Sequence, residues 1–135
     1  MNAILKLAVD HQGLYDITHK VNEILRGSAV SEGLVTLFIR HTSASLIIQE
    51  NADPAVQRDL ENWLNRLVPE NDPLYTHTLE GSDDMPAHIK SALTAVSIGI
   101  PVHDGRLMLG TWQGIYLWEH RYHAGARSVL VHLGS

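Results

Sequence analysis

The chain contains no cysteine. Disulfides and thiolate metal centres are therefore excluded, and a metal would have to be held by nitrogen and oxygen. Basic clusters are missing too. Ten Lys and Arg are scattered through 135 residues against fifteen Asp and Glu, for a formal net charge of −5. That balance argues against nucleic-acid binding and against a membrane-surface patch. No apolar run approaches the length of a bilayer span. The first apolar stretch is interrupted by Lys6 and ended by Asp10, with no basic segment before it. No signal peptide is expected, and the cytoplasm is the default location. A Gly-x-Ser-x-Gly elbow is absent, which argues against a serine hydrolase although Ser43 lies close to His41. No Gly-rich phosphate loop is present either.

What remains is ordinary in bulk. The hydrophobic content of 44% suits one soluble domain, residues 1–135, with a real core. Alternation predicts a strand over 3–9 and another over 33–41, where Val35, Leu37, Ile39 and His41 share a face. Short strands are expected over 14–17 and 45–49, and a first helix runs to Arg26 with Gly27 just past its end. Asp53-Pro54 is a strong helix start, with the stripe Val56, Leu60, Trp63, Leu64 and Leu67 read as core. A third helix opens at Asp84-Met85-Pro86, with Ile89, Leu93 and Val96 as its apolar face, and closes at Gly99-Ile100-Pro101. Further strands are expected over 100–103, 106–109, 111–119 and 127–133, with a turn at His103-Asp104-Gly105. Strands cluster at both ends with helices between them, which favours an antiparallel α+β domain.

Nine histidines are spread along the chain, and one segment concentrates them with acids. Between His77 and His88 lie Glu80, Asp83 and Asp84 around Gly81. Neutral imidazole and carboxylate are ligands for zinc and other first-row metals. Asp84 and His88 stand four apart and share a helical face, so Asp84 either caps the helix or orients His88. His41 ends a strand on the inner face, as a ligand, a proton-transfer group or a histidine satisfied by backbone. Glu50 ends an apolar strand just before a helix, while Asp53 is sufficiently explained as a cap. Gly110-Thr111-Trp112-Gln113-Gly114 is a place for close backbone approach, and Glu119-His120-Arg121 brings acid, base and anion-binding groups to one strand end.

Taken together, His41-Thr-Ser-Ala-Ser, Glu50-Asn51-Ala-Asp53-Pro54, the His77–His88 segment and Leu109-Gly-Thr-Trp-Gln-Gly-Ile-Tyr resemble the YjbQ-like family. These are small proteins also described as secondary thiamine-phosphate synthases. The resemblance covers nearly the entire chain. It implies a compact α+β fold with a β-sandwich-like core and about three helices, assembled as a homotrimer. It also implies a weak synthase activity that joins a pyrimidine diphosphate to a thiazole phosphate and releases pyrophosphate. By motif match, the family's polar pocket falls on His41, Glu50, Asn51, His77, His88, Trp112, Gln113 and Glu119.

The expectation is a small-molecule enzyme with a His/carboxylate pocket. His77 and His88, joined by His41, would hold a divalent metal, zinc or Mg²⁺. The histidine content favours zinc, whereas pyrophosphate departure favours Mg²⁺. Glu50 or Glu119 would act as general base and Arg121 would meet an anionic group. Asn51, Trp112 and Gln113 would bind substrate, with the indole stacking on a pyrimidine. Two alternatives stand beside this: metal-dependent hydrolysis of a small phosphorylated or amide substrate, and a non-enzymatic metabolite- or metal-binding module.

Overall fold

The computed structural model describes residues 1–135. In chain order the elements are β1 (Asn2–Val9), β2 (Gly13–Asp16), α1 (Thr18–Arg26), β3 (Gly33–Ile39), β4 (Ala44–Glu50) and α2 (Pro54–Leu67). They continue with α3 (Asp84–Leu93), β5 (Ser97–His103), β6 (Arg106–Leu107), β7 (Gln113–Glu119) and β8 (Gly125–Gly134). Five strands form one sheet in the order β1-β8-β3-β5-β6, and three form a second in the order β2-β7-β4. Every pairing between strands is antiparallel.

Alternation explains how the two sheets pack. Leu5 and Val9 of β1, Val35, Leu37 and Ile39 of β3, and Val129, Val131 and Leu133 of β8 all point to one side of the larger sheet. They meet Ala44, Leu46, Ile115 and Leu117 of the smaller sheet in one buried cluster, which Val21 and Leu25 of α1 complete. The result is a β-sandwich-like core. Leu64 and Val68 pack on Trp118 on the far side of the smaller sheet, in a second, smaller cluster. Strand β7 therefore lies between two apolar layers, and Gly114 to Glu119 are buried on both faces. The outer face of the larger sheet is left bare, with Ile4, Leu34 and Phe38 each about half exposed.

Several expectations are adjusted by this packing. Asp53 caps α2 as expected, its Oδ1 accepting the Ala55 N–H at 2.9 Å. The α2 stripe is only partly core, because Leu64 is buried while Trp63 and Leu67 are 52% exposed. Helix α3 ends at Leu93 rather than near Gly99, and Leu93 and Val96 stand exposed. Residues from Ser97 are recruited by pairing with β3 instead, with Val35 opposite Ile100. Strand β6 is shorter than the stretch 106–109, and β7 begins at Gln113 rather than at Thr111. Gly33 has a clear steric reason: its φ is +154°, and a Cβ there would sit 1.9 Å from the Gly134 carbonyl oxygen.

Candidate metal centre

Between α2 and α3 the chain runs without helix or strand from Val68 to Asp83. A structureless connection of that length in a small domain is usually functional. It carries His77 back to the first turn of α3. There the Asp84 side chain is 4% exposed. Asp83 occupies the N-cap position but makes no side-chain cap bond. Both carboxylates are turned to other partners.

Asp84 is the hub. Its Oδ2 lies 2.7 Å from His77 Nε2 and 3.2 Å from His88 Nε2, and its Oδ1 lies 2.9 Å from Arg121 Nη1. One donor atom from each of His77, Asp84 and His88 falls within 4.8 Å of the other two. The imidazole rings stand edge to face with centroids 5.3 Å apart. His88 Nδ1 is 2.9 Å from the Thr42 carbonyl oxygen. A carbonyl can only accept, so Nδ1 carries a proton. A neutral His88 must then present the lone pair of Nε2 to a carboxylate oxygen, acceptor against acceptor. Only a proton or another cation placed between them makes the arrangement favourable. Two imidazoles and one carboxylate, with one ring fixed by a backbone carbonyl and the carboxylate fixed by an arginine, fit a divalent first-row metal.

The second layer is firm. Arg121 Nε donates to Asp83 Oδ2 at 3.1 Å, and Nη2 donates to the Glu80 carbonyl at 2.8 Å. The backbone N–H of Tyr122 also donates to Asp83 Oδ2, at 2.9 Å. Burial pushes the Asp83 carboxyl up, but Arg121 and that N–H outweigh it and hold the group below its ordinary value. Asp83 in turn raises the Arg121 guanidinium. Beside His77 opens a cleft of about 400 Å³, lined also by Asn71, Asp72, Tyr75, Ser82 and Met85.

The remaining candidates are distributed differently. Antiparallel pairing sets Ala44 opposite Glu119 and Glu50 opposite Gln113. Glu50, Asn51, Trp112 and Gln113 therefore lie at the opposite end of the smaller sheet, about 20 Å along β4 at roughly 3.3 Å per residue. Within one chain the expected single pocket is two separate places. At that far end, Glu50 Oε2 accepts the Asp53 N–H at 3.2 Å, and Asn51 Nδ2 lies at the long distance of 3.4 Å from the Gln113 carbonyl. Gln113 Oε1 accepts the Gly110 N–H, while Trp112 is 64% exposed.

His41 stands outside the triad, and its Nε2 accepts the Ser128 N–H at 2.8 Å. Burial, followed by the Arg127 charge, lowers its pKa. The expectation of Glu119 as general base is corrected. This carboxylate is fully buried, and both its oxygens are 2.6 Å from Arg127 nitrogens. Oε2 also accepts the Arg121 N–H at 3.0 Å. Arg121, expected to meet an anionic substrate, is committed to Asp83, Asp84 and the Glu80 carbonyl.

Sequence reading did not assign Asp84 as a ligand, although its spacing to His88 carried the signal. It read His120 only as a base at the strand end Glu119-His120-Arg121, whereas the structure buries it with Nε2 2.9 Å from Ser45 Oγ and Nδ1 without a partner. Burial, then the nearby Lys90 and Arg127 charges, lowers the His120 pKa to about 3.

Fold and triad together define a small two-sheet α+β protein with a His/His/Asp centre beside an open cleft. The chain belongs to the YjbQ family: the family model described as UPF0047 protein YjbQ-like matches residues 4–135. UPF0047 protein sll1880 of Synechocystis is 53% identical over 130 residues, covering 96% of this chain and 88% of that protein. UPF0047 protein YjbQ of Escherichia coli O157:H7 is 45% identical over 130 residues, covering 96% of this chain and 94% of the relative. The crystal structure of a conserved hypothetical protein from Thermus thermophilus superimposes with a TM-score of 0.86 at 39% identity, covering 98% of this chain and 99% of that one.

Proposed function

We propose that this protein is a metal-dependent cytoplasmic enzyme acting on a small molecule, with the ion held by His77 Nε2, His88 Nε2 and Asp84 Oδ2. One observation carries the reading. With its Nδ1 proton committed to Thr42, a neutral His88 turns the Nε2 lone pair toward the same Asp84 oxygen that His77 Nε2 faces, a convergence of three ligand atoms that one shared metal ion would satisfy. A bound divalent ion supplies Lewis acidity at the edge of the cleft, polarising a carbonyl or phosphoryl oxygen. Thr42 fixes the tautomer and plane of His88. Arg121 fixes Asp84. His77 is delivered by the 68–83 loop and forms one wall of the cleft. Two neutral imidazoles and a carboxylate suit zinc or ferrous iron better than Mg²⁺, which prefers oxygen.

Hydrolysis of a small substrate fits this centre within one chain. Thiamine-phosphate synthase activity finds support in the family resemblance. It requires the Glu50, Asn51, Trp112 and Gln113 end to meet the triad across subunits. A homotrimer would offer such a meeting, and the bare apolar face of the larger sheet supports self-association. The test is zinc titration of metal-stripped protein followed by calorimetry, then screening of small phosphate esters and amides with zinc present. One ion per chain, followed by release of phosphate or amine, supports hydrolysis. Turnover only when a pyrimidine diphosphate and a thiazole phosphate are both supplied supports the transferase. One ion per chain with tight metabolite binding but no turnover leaves the binding module.

A further inference from the structure

The cleft beside His77 is polar but offers no cation. Its lining includes Asn71, Asp72, Tyr75, Ser82 and Met85, and neither a lysine nor an arginine is among the residues that face it. The stretch from Glu70 to Asp84 contains five acids and no Lys or Arg. The Arg121 guanidinium is close, its Nη2 3.6 Å from where a Cβ at Gly81 would stand, but its donors serve Asp83, Asp84 and the Glu80 carbonyl. Asp72 lines the cleft and is held in place, its Oδ1 accepting the Leu74 N–H at 2.9 Å, while no hydrogen bond within the chain engages its Oδ2. The Tyr75 hydroxyl donates to the Pro69 carbonyl at 2.8 Å, and Tyr75 and Met85 both line the cleft.

Charge decides what fits. A divalent ion on two neutral imidazoles and Asp84 carries one net positive charge, and Asp72 cancels it. Within one chain a diphosphate would bring several negative charges to a cleft lined by Asp72 and by no lysine or arginine, so only the bound ion would attract it. From this charge balance we infer that the cleft selects a small neutral or cationic molecule, one that offers a carbonyl or hydroxyl oxygen at the His77 end and an amine or other hydrogen-bond donor to Asp72. Asp72 is the specificity determinant. The inference rests on the metal reading above and names the substrate class of the same site.

Cobalt(II) replaces zinc in His/carboxylate sites and reports ligands through its visible spectrum, so binding can be read without turnover. Three hydroxamates share one metal-binding head and differ in their tails: glycine hydroxamate carries an ammonium, acetohydroxamate is neutral, and succinic monohydroxamate carries a carboxylate. Titrated into cobalt-loaded protein, they are expected to bind in that order, with about tenfold between the first and the last. Inorganic pyrophosphate should be weaker than acetohydroxamate. Asp72→Asn keeps the oxygen that caps Leu74 and should collapse the spread to within about twofold. A carboxylate tail or pyrophosphate binding tightest, in a protein that shows the cobalt spectrum, overturns the charge selection while leaving the metal centre standing. A spread unchanged in Asp72→Asn removes Asp72 as its source and overturns the assignment. A protein that develops no cobalt spectrum overturns the metal reading, and this inference with it.

Discussion

Replacing Glu119 with glutamine separates a structural acid from a catalytic one. In the folded chain both Glu119 oxygens are 2.6 Å from Arg127 nitrogens, and Arg127 is 7% exposed. Arg127 also donates to the Ser43 hydroxyl at 2.8 Å and to the Ser43 carbonyl at 3.2 Å. Glutamine keeps the size and one acceptor but removes the counter-charge, leaving a guanidinium buried without compensation. Breaking a buried pair from one side costs about 3–5 kcal/mol. Glutamine still offers a hydrogen bond, so the lower end applies. For a chain of this size a loss of about 3 kcal/mol lowers Tm by roughly 10 °C. Thermal melts followed by circular dichroism measure it, and metal content below the transition should match the parent. Adding Arg127→Met to Glu119→Gln removes the stranded charge and should recover at least half of the loss. A Glu119→Gln protein melting within about 2 °C of the parent would refute the structural assignment. So would a double variant in which the two losses simply add.

His120 makes folding sensitive to mild acid. Its folded-state pKa of about 3 lies below the free value of 6.5, so only the unfolded chain takes up the proton between those limits. The contribution is complete above pH 6.5 and is lost as pH falls toward 3, reaching about 2 kcal/mol by pH 5. Urea melts at pH 7 and pH 5 should show that difference, and His120→Phe should lack it. Arg121→Gln frees Asp84 and should weaken zinc binding about 10–100-fold by calorimetry, with the fold retained. The proposed homotrimer predicts a parent that sediments at about three times 15.0 kDa and a Phe38→Asp variant, altered on the bare face of the larger sheet, that shifts toward the single-chain mass; a parent at the single-chain mass would refute the trimer, and a trimer unchanged by the substitution would place the interface elsewhere.

Local chemistry was the readable part of this sequence. Asp53-Pro54 announces α2 because a cap and a fixed φ act within two residues. Alternation in β3 announces its buried face because one side of the strand meets only core. Helix α2 shows the limit of such reading. Periodicity says which residues share a side, but only the area of sheet beneath decides that Leu64 is covered while Trp63 and Leu67 are not. The same holds for the site. His77, Asp84 and His88 lie within twelve residues, and Asp84 and His88 occupy neighbouring turns, so their meeting is close to a local event. Glu119 gave no such clue, since its partner Arg127 reaches it only once β8 has returned beside the core. The separation of Glu50 and Trp112 from the triad follows from the β4–β7 register, which no motif displays.

The central claim is that His77, Asp84 and His88 hold one divalent ion. Elemental analysis of the purified protein and of His88→Ala, both folded by circular dichroism, tests it most directly. The account predicts close to one zinc or iron per chain in the parent and almost none in the variant. Equal metal in both proteins, or none in a parent incubated with zinc, would contradict it.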